Sequence, residues 1–478
     1  MKPAADPGRV SLPEKLAYGA GDFASCLYWA AFGSFLLKFY TDVFGIAGAA
    51  AGTLFLFARI WDGVNDPLLG AIADRTRTRW GQFRPYLLFG AVPFAIAGVL
   101  LFTTPDLDTQ GKIVWAWITY NLMMMLYTAV NIPYTALLGT ISSSSIERTS
   151  ISSVKFLFAF GAGLVVKATL PFLTEALGGG DLRRGYELTF VIYGAVAAAL
   201  FFVTFAFTRQ RVTPPPAQRT RLLRDLGDLV TNGPWLVLLA STVPFILFVA
   251  IRGTITAHYI DYYVGEQTTW LPGFGAGTWG YKELFAVFGV AGDVGSILGV
   301  LLVTAVARRL GKKTTFLALM SCSILATLAF RWLRPDQIWI MLALQFVGSM
   351  TGGPLSVILW AMYADCAYYS GCKRGRLATG LVFSSSTMSQ KFGWAVGGFY
   401  AGKLLSATGY VPNAEQPAEV LDAMRAMMGV TPAAFGLVAL LVIAVFPLTE
   451  RRIAQLEAEL AARRGAGAGG AAGGAAPA

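Results

Sequence analysis

Leu54-Phe-Leu-Phe-Ala-Arg59-Ile-Trp-Asp62-Gly-Val-Asn65-Asp66-Pro67-Leu-Leu-Gly-Ala-Ile72 is an apolar stretch long enough to cross a bilayer, yet it holds two aspartates and an arginine. A carboxylate near the bilayer centre costs roughly 2.5–3.5 kcal/mol on insertion scales, so a span carrying two is expected to use them, by default as an ion or proton site. The competing reading is a core helix of a soluble protein with a paired Arg and Asp. Composition argues against it: 55% of the 478 residues are hydrophobic and 14% charged, where soluble proteins have roughly 25% charged. Mean hydropathy is +0.57, and apolar runs of about 20 residues recur along nearly the whole chain.

Windows of spanning length predict an all-α membrane protein with about 12 transmembrane helices. The first six lie near 16–40, 49–73, 86–103, 113–138, 156–177 and 188–207; the second six near 235–259, 284–306, 315–332, 338–363, 377–406 and 433–447. Most Lys and Arg fall in the loops on the side of both termini, including Arg75, Arg77, Arg79 and Arg84, then Arg308, Arg309, Lys312 and Lys313. Cytoplasmic loops carry such an excess, so both ends are expected in the cytoplasm and the net charge of +11 reads as a topology signal. No basic soluble domain suited to nucleic acid is found. Residues 1–12 lack the apolar core of a removable signal peptide. Cys26, Cys322, Cys366 and Cys372 are too scattered for a disulfide frame or metal motif.

The segment Thr208-Arg-Gln-Arg-Val-Thr-Pro-Pro-Pro-Ala-Gln-Arg219 cannot continue a helix through three prolines and reads as an exposed linker. Beyond it, Leu222, Leu223, Leu226 and Leu229 interleave with charges, as in a helix lying on the membrane surface. The expected division is 1–208 and 233–449 as six-helix bundles, 209–232 as a cytoplasmic linker, and 450–478 as a cytoplasmic tail disordered at its end. Gly70-Ala-Ile-Ala-Asp74-Arg75 and Arg308-Arg309-Leu-Gly311-Lys312-Lys313 each follow the second span of their half, a weak echo that fits two pseudo-symmetric bundles.

Arg59, Asp62 and Asp66 are spaced i, i+3, i+7 and share a helix face. The two carboxylates can share a cation or raise each other's proton affinity. A hard cation needs further oxygens, which Asn65 and, from the fourth span, Thr128 can supply; Na⁺ is thus allowed at Asp62 and Asp66. The alternative is a static ion pair with Arg59. One arginine leaves two carboxylates short of one positive charge, which a movable cation would provide. Pro67 is expected to break the helix just past Asp66.

Asp22, Lys155, Arg252, Asp293 and Lys391 are further intramembrane charges, while Lys38, Lys167 and Asp261, near span ends, are expected to snorkel. Lys391, among Ser384, Ser385, Ser386, Gln390 and Trp394, reads as a polar cavity lining. Tyr28 and Trp29 with Asp22, Tyr120 and Tyr127 near Asn131, Tyr134, and Trp394 are aromatics suited to stacking on a sugar ring. His258 is a proton carrier or a hydrogen-bonded lining residue. Arg59, Asp74, Arg75, Arg148, Asp365 and Arg376 are the candidates for gate salt bridges, Asp365 with Lys373, Arg374 and Arg376. The loop 264–280 reads as a lid or a plain connector.

On Lys15-Leu-Ala-Tyr-Gly-Ala-Gly-Asp22, Phe39-Tyr-Thr-Asp-Val-Phe-Gly45, the stretch from Gly52 to Pro67, Glu147-Arg-Thr-Ser150, Met362-Tyr-Ala-Asp365, Gln390-Lys391 and Gly409-Tyr-Val-Pro-Asn413, the chain resembles the glycoside-pentoside-hexuronide:cation symporter family of the major facilitator superfamily. The resemblance implies the major facilitator fold and a cation site at Asp62, Asn65, Asp66 and Thr128. Its sugar positions differ from those of the family's melibiose carriers: Cys26 and Asn131 stand in place of aspartates, Lys155 in place of an arginine and Thr135 in place of a tryptophan. Asp22, Cys26, Tyr127, Asn131, Lys155, Lys391 and Trp394 are therefore the expected substrate residues, for a neutral or anionic glycoside.

The expected function is cation-coupled (Na⁺ or H⁺) symport of a sugar or glycoside across a bacterial inner membrane, by a monomer without other cofactors. Alternatives are a lipid or lysolipid carrier and a membrane-embedded enzyme using Asp62 and Asp66 as acid and base. Carboxylates one turn apart on one helix cannot easily flank a glycosidic bond, so no enzyme is expected.

Overall fold

The computed structural model describes residues 10–142, 145–211, 231–374 and 379–448, together with 452 and 455. The helices are α1 (Leu12–Ser34), α2 (Gly48–Arg75), α3 (Arg84–Leu101), α4 (Thr109–Ile141), α5 (Ser145–Gly178), α6 (Leu182–Phe207), α7 (Gly233–His258), α8 (Tyr281–Leu310), α9 (Lys312–Ala329), α10 (Ile338–Arg374), α11 (Thr379–Ala407) and α12 (Ala418–Ala444, interrupted at Gly429). Among the described residues, nine of these are long and apolar enough to cross a membrane. The other three, α1, α2 and α11, carry Asp22, the Arg59–Asp62–Asp66 set and Lys391, and these charges reduce their apolar character.

The packing is two-fold. In the first half α1 packs on α5, α2 on α4, and α3 on α6; in the second, α7 packs on α11, α8 on α10, and α9 on α12. Each pairing recurs six helices later, and the main pairings between halves, α2 with α11 and α5 with α8, exchange under the same shift. Two pseudo-symmetric six-helix bundles therefore meet along two equivalent seams. Small residues let the seams close, because lipid offers helices no hydrophobic drive to associate and close van der Waals contact must supply it. A Cβ at Gly402 would lie 2.2 Å from the Gly48 carbonyl oxygen, so α2 and α11 touch backbone to backbone.

Both first helices of the halves end alike. α1 continues through Leu36–Lys38 into a π-helical turn, Phe39–Phe44, and α7 into another, Tyr259–Val264. Glycines at positive φ, Gly45 (83°) and Gly265 (63°), end the turns, where a side chain would be strained. π-turns are rare and frequent at functional sites.

Several expectations are corrected. α2 runs on past position 67 to Arg75 instead of breaking there; spanning helices tolerate proline where neighbouring groups satisfy the freed carbonyl. The loop 264–280, whose role as lid or connector was open, holds an antiparallel hairpin, β1 (Gln267–Leu271) with β2 (Gly275–Trp279), whose Trp270 stacks on Trp339 at 5.9 Å. The last span begins at Ala418, because the amphipathic piece before Gly429 buries Val420, Met424, Met427 and Met428. The surface helix expected in 212–230 lies outside the described residues, as does nearly all of the tail. The linker's start is anchored: Arg211 donates to both oxygens of the buried Glu14, at 2.8 and 2.7 Å.

Candidate functional site

Helical spacing makes the first contact of the site. Arg59 Nη1 reaches Asp62 Oδ2 at 2.8 Å, one turn along α2, and its guanidinium lies over Trp29 of α1 at 4.9 Å. Asp62 is 1% exposed, and its Oδ1 and the Asn65 amide nitrogen are buried without a hydrogen-bond partner among the described residues. One turn further, Asp66 accepts a hydrogen bond from Thr128 Oγ1 of α4 at 3.0 Å. Its second oxygen accepts from the ammonium of Lys391, 325 residues away on α11.

That lysine changes the charge count. The sequence left the two aspartates one positive charge short; the structure supplies it, since the α2–α11 seam carries Lys391 onto Asp66. Arg59 and Lys391 balance Asp62 and Asp66. The two pairs are unlike in access: Asp62 is sealed, whereas the Asp66 and Lys391 side chains are 25% and 23% exposed. The Asp66–Lys391 pair is thus open to water, while Asp62 stays sealed beside Arg59.

Beside this centre, Lys155 of α5 lies 3.6 Å from Asp22 of α1, whose other oxygen accepts a weak bond from Cys26 at 3.9 Å. Tyr127 stands 5.7 Å from the Trp29 ring, and Trp394 meets Trp29 edge-on at 6.2 Å. The Asn131 amide nitrogen is buried and unpartnered among the described residues. Between the halves lies a cavity of about 350 Å³. Of the sugar residues expected from sequence, Trp394 lines it, with Trp29; Asp22, Cys26, Tyr127, Asn131, Lys155 and Lys391 are not among its lining. Its polar wall is instead Lys167, Arg252, Asp293 and Gln345. Lys167 does not snorkel: its Nζ lies 2.6 Å from Asp293 Oδ1, joining α5 to α8. The signal available in sequence was a set of intramembrane charges in both halves; Gln345, uncharged, gave none.

At the hairpin end the π-turns interlock. Lys38 pairs with Asp42 at 2.5 Å and with Asp261 of the opposite half, so neither Lys38 nor Asp261 snorkels. Asp42 also accepts from Tyr262 at 2.8 Å and Tyr410 at 2.5 Å, and its carbonyl accepts from Asn413 at 2.8 Å. Burial, then the Asp42 carboxylate, pushes the Tyr410 phenol well above its usual value, keeping it a donor. His258 is fully buried and bonded through Nε2 to Thr41 at 3.1 Å. Lys282 and Glu175 close the α5–α8 seam at 2.6 Å.

Of the expected gate residues, Arg59 belongs to the site itself. Asp365 pairs with Lys312 at 2.6 Å within one bundle, Arg148 donates to the Ser142 carbonyl at 2.9 Å, and Arg75 is exposed. The Asp74, Lys373 and Arg374 side chains and Arg376 lie outside the described residues.

Residues 17–450 match the family model described as MFS/sugar transport protein. The chain is 34% identical to the isoprimeverose transporter of Lactiplantibacillus pentosus, over 95% of this chain and 92% of that one. It is 32% identical to the putative glycoside/cation symporter YagG of Escherichia coli (strain K12), over 95% of each. Among solved structures, the nucleoside transporter NupG superposes with a TM-score of 0.62 at 12% identity, over 92% of this chain and 100% of that one. An inward-facing bacterial homologue of the lysosomal transporter Spinster gives 0.63 at 13%, over 93% and 97%. At such identities the structures attest to the fold alone.

Proposed function

The chain belongs to the MFS/sugar transport protein family, in its glycoside-pentoside-hexuronide:cation symporter branch, and from that premise we propose that it is a secondary transporter coupling entry of Na⁺ or H⁺ to uptake of a sugar or glycoside. The observation that carries the reading is Asp66: a half-open intramembrane carboxylate held by Thr128 of its own bundle and Lys391 of the other. A cation or proton arriving at Asp66 displaces the ammonium, loosens the α2–α11 seam and frees Lys391 beside the cavity. Ion occupancy and bundle rocking thereby become one equilibrium, shifted only as far as the ion's differential affinity for the two states allows.

The basic-loop end faces the cytoplasm by charge asymmetry, in the bacterial inner membrane with both termini inside. The bonds at the hairpin end then close the outer side. One chain holds every element of the cycle, and it works as a monomer. The relatives named as carriers of glycosides and isoprimeverose favour a sugar over a lysolipid; the helix-two carboxylates both carry basic partners, which disfavours acid–base chemistry.

The test is uptake in right-side-out vesicles, with labelled glycosides and with Na⁺ and pH gradients imposed separately. One gradient should drive accumulation in the native carrier, and Asp62→Cys and Asp66→Cys should abolish it while the protein remains inserted. Full accumulation by both variants would reject the assignment.

A further inference from the structure

Three of the described interior lysine–aspartate pairs join one half to the other: Asp66–Lys391, Lys38–Asp261 and Lys167–Asp293. The first and the last are counterparts. The shift of six helices that exchanges the seams turns α2, with its carboxylate, into α8, and α11, with its ammonium, into α5. Each seam thus joins an acid on the second helix of one half to a lysine on the fifth helix of the other. The two pairs differ in what they face. Lys167 and Asp293 line the cavity between the halves, as do Trp29 and Trp394, whereas Asp66 and Lys391 are not among its lining.

The cavity pair is closely fitted yet only half satisfied. The Lys167 stem lies on bare α8 backbone, where a Cβ at Gly289 would come to 2.9 Å from it. Nζ holds Asp293 Oδ1 at 2.6 Å, while Oδ2 is buried with no hydrogen-bond partner among the described residues. α5 leaves that oxygen uncovered, because residue 163 is glycine and even a Cβ there would stand 3.6 Å away. Arg252, in the same wall, does not take it: among the described residues it has no carboxylate partner, and its Nη2 donates to Gln345 Oε1 at 2.6 Å. A buried carboxylate oxygen without a donor is unfavourable. The chemistry of the gap says what suits it. The free atom only accepts, which excludes an anion, and the ammonium beside it repels a second cation. A neutral hydroxyl, which donates, fits.

At 1.5 Å per residue, Lys167 lies about 16 Å from the hairpin-end terminus of α5 and Asp293 about 18 Å from that of α8, in the outer half of each helix. Opening the outer side has to part them, and it leaves a charged donor and a charged acceptor facing each other across the cleft. We propose that two neighbouring hydroxyls of the transported sugar bind there, one donating to Asp293 and the next accepting from Lys167, and that closure of the α5–α8 seam re-forms the ion pair and displaces them. Recognition and release then use the same two side chains. The sugar does at α5–α8 what the ion does at α2–α11, replacing a lysine as the partner of an aspartate. This rests on the reading of the chain as a sugar carrier, but its test requires only binding and distance measurements.

Binding to the purified carrier is measured by calorimetry for methyl xyloside, glucoside and galactoside, and for each monodeoxy form of the one that binds best. Loss of a hydroxyl bonded to a charged group weakens binding roughly tenfold or more, so two neighbouring positions should stand out in the native protein. Asp293→Asn should shrink the penalty at one of them to about threefold or less, and Lys167→Gln the penalty at the other, with the remaining positions unchanged. A general disturbance of the fold would instead weaken every analogue alike. Spin labels at Ala176→Cys near the end of α5 and Ala276→Cys on β2, both exposed positions, report the seam in a carrier whose native cysteines are replaced by alanine and which still binds sugar. In liposomes the best-bound sugar should raise the longer-distance population of that carrier, and should leave it unchanged once Lys167→Gln and Asp293→Asn are both added. Penalties equal in native and variant proteins, uniform weakening of all analogues, relief at positions that are not neighbours, a label distance that ignores sugar, or no binding of any sugar by the folded native protein would each overturn the proposal. Failure of ion-driven accumulation in vesicles, by contrast, would reject the transport reading and leave these penalties and distances as they are.

Discussion

Replacing Asp66 by Asn separates two roles of one side chain. The change leaves Lys391 facing an amide, with its ammonium about three-quarters withdrawn from water. Breaking a fully buried pair costs 3–5 kcal/mol and an exposed one about 0–1; at one-quarter exposure the expected loss is about 2 kcal/mol. In a chain of this size that lowers the melting temperature by about 2–4 °C. Adding Lys391→Gln removes the stranded charge, and the double variant should recover most of the loss, a coupling energy of about 2 kcal/mol between the two positions. Transport should not recover, because the accessible carboxylate is gone and the remaining Asp62 stays paired with Arg59. Purified single and double variants are compared by thermal denaturation with and without Na⁺ and across pH, and the same proteins by uptake in vesicles. Additive losses in the double variant would mean that the pair contributes nothing in the folded protein; recovery of ion-driven accumulation along with stability would mean that Asp66 is not where the ion acts.

Two further expectations concern the closed outer side. Asp42→Asn weakens the hub that receives Lys38, Tyr262 and Tyr410; a loss of about 2.7 kcal/mol is enough to raise an outward-open population from one in a hundred to half, so a Ser34→Cys probe in the cavity wall should react faster with an impermeant maleimide added outside, and an unchanged rate would contradict the gate. Gly402→Leu places a side chain against the Gly48 carbonyl, so it should keep the α2–α11 seam apart, with outward labelling raised and uptake lost at normal membrane abundance; normal uptake would show that this seam does not need to close.

The acidic cluster proposed as the cation site was partly legible because much of it is local. Arg59, Asp62 and Asp66 lie on one helix, where periodicity alone puts them on a shared face, and Thr128 was reached by asking which facing helix could offer an oxygen. The polar cavity wall was legible only as scattered charges. Lys38 and Lys167 looked like span-end residues free to reach the interface, because hydropathy reports depth along one helix and says nothing of which neighbour stands beside it. The hairpin was hidden for a related reason: Gly-rich segments such as 264–280 suit a turn and a strand pair equally, and the choice falls to the packing of Trp270 on Trp339.

By itself the sequence determined that the chain crosses a membrane many times and that its second helix bears a costly acidic pair, since both follow from bilayer thickness and the price of charge in hydrocarbon. Tertiary structure decided who neutralises whom. Lys391 meets Asp66, Lys38 meets Asp261, and Arg252 meets no carboxylate among the described residues because two six-helix bundles close along glycine-lined seams, and contacts between residues hundreds of positions apart are set by that closure.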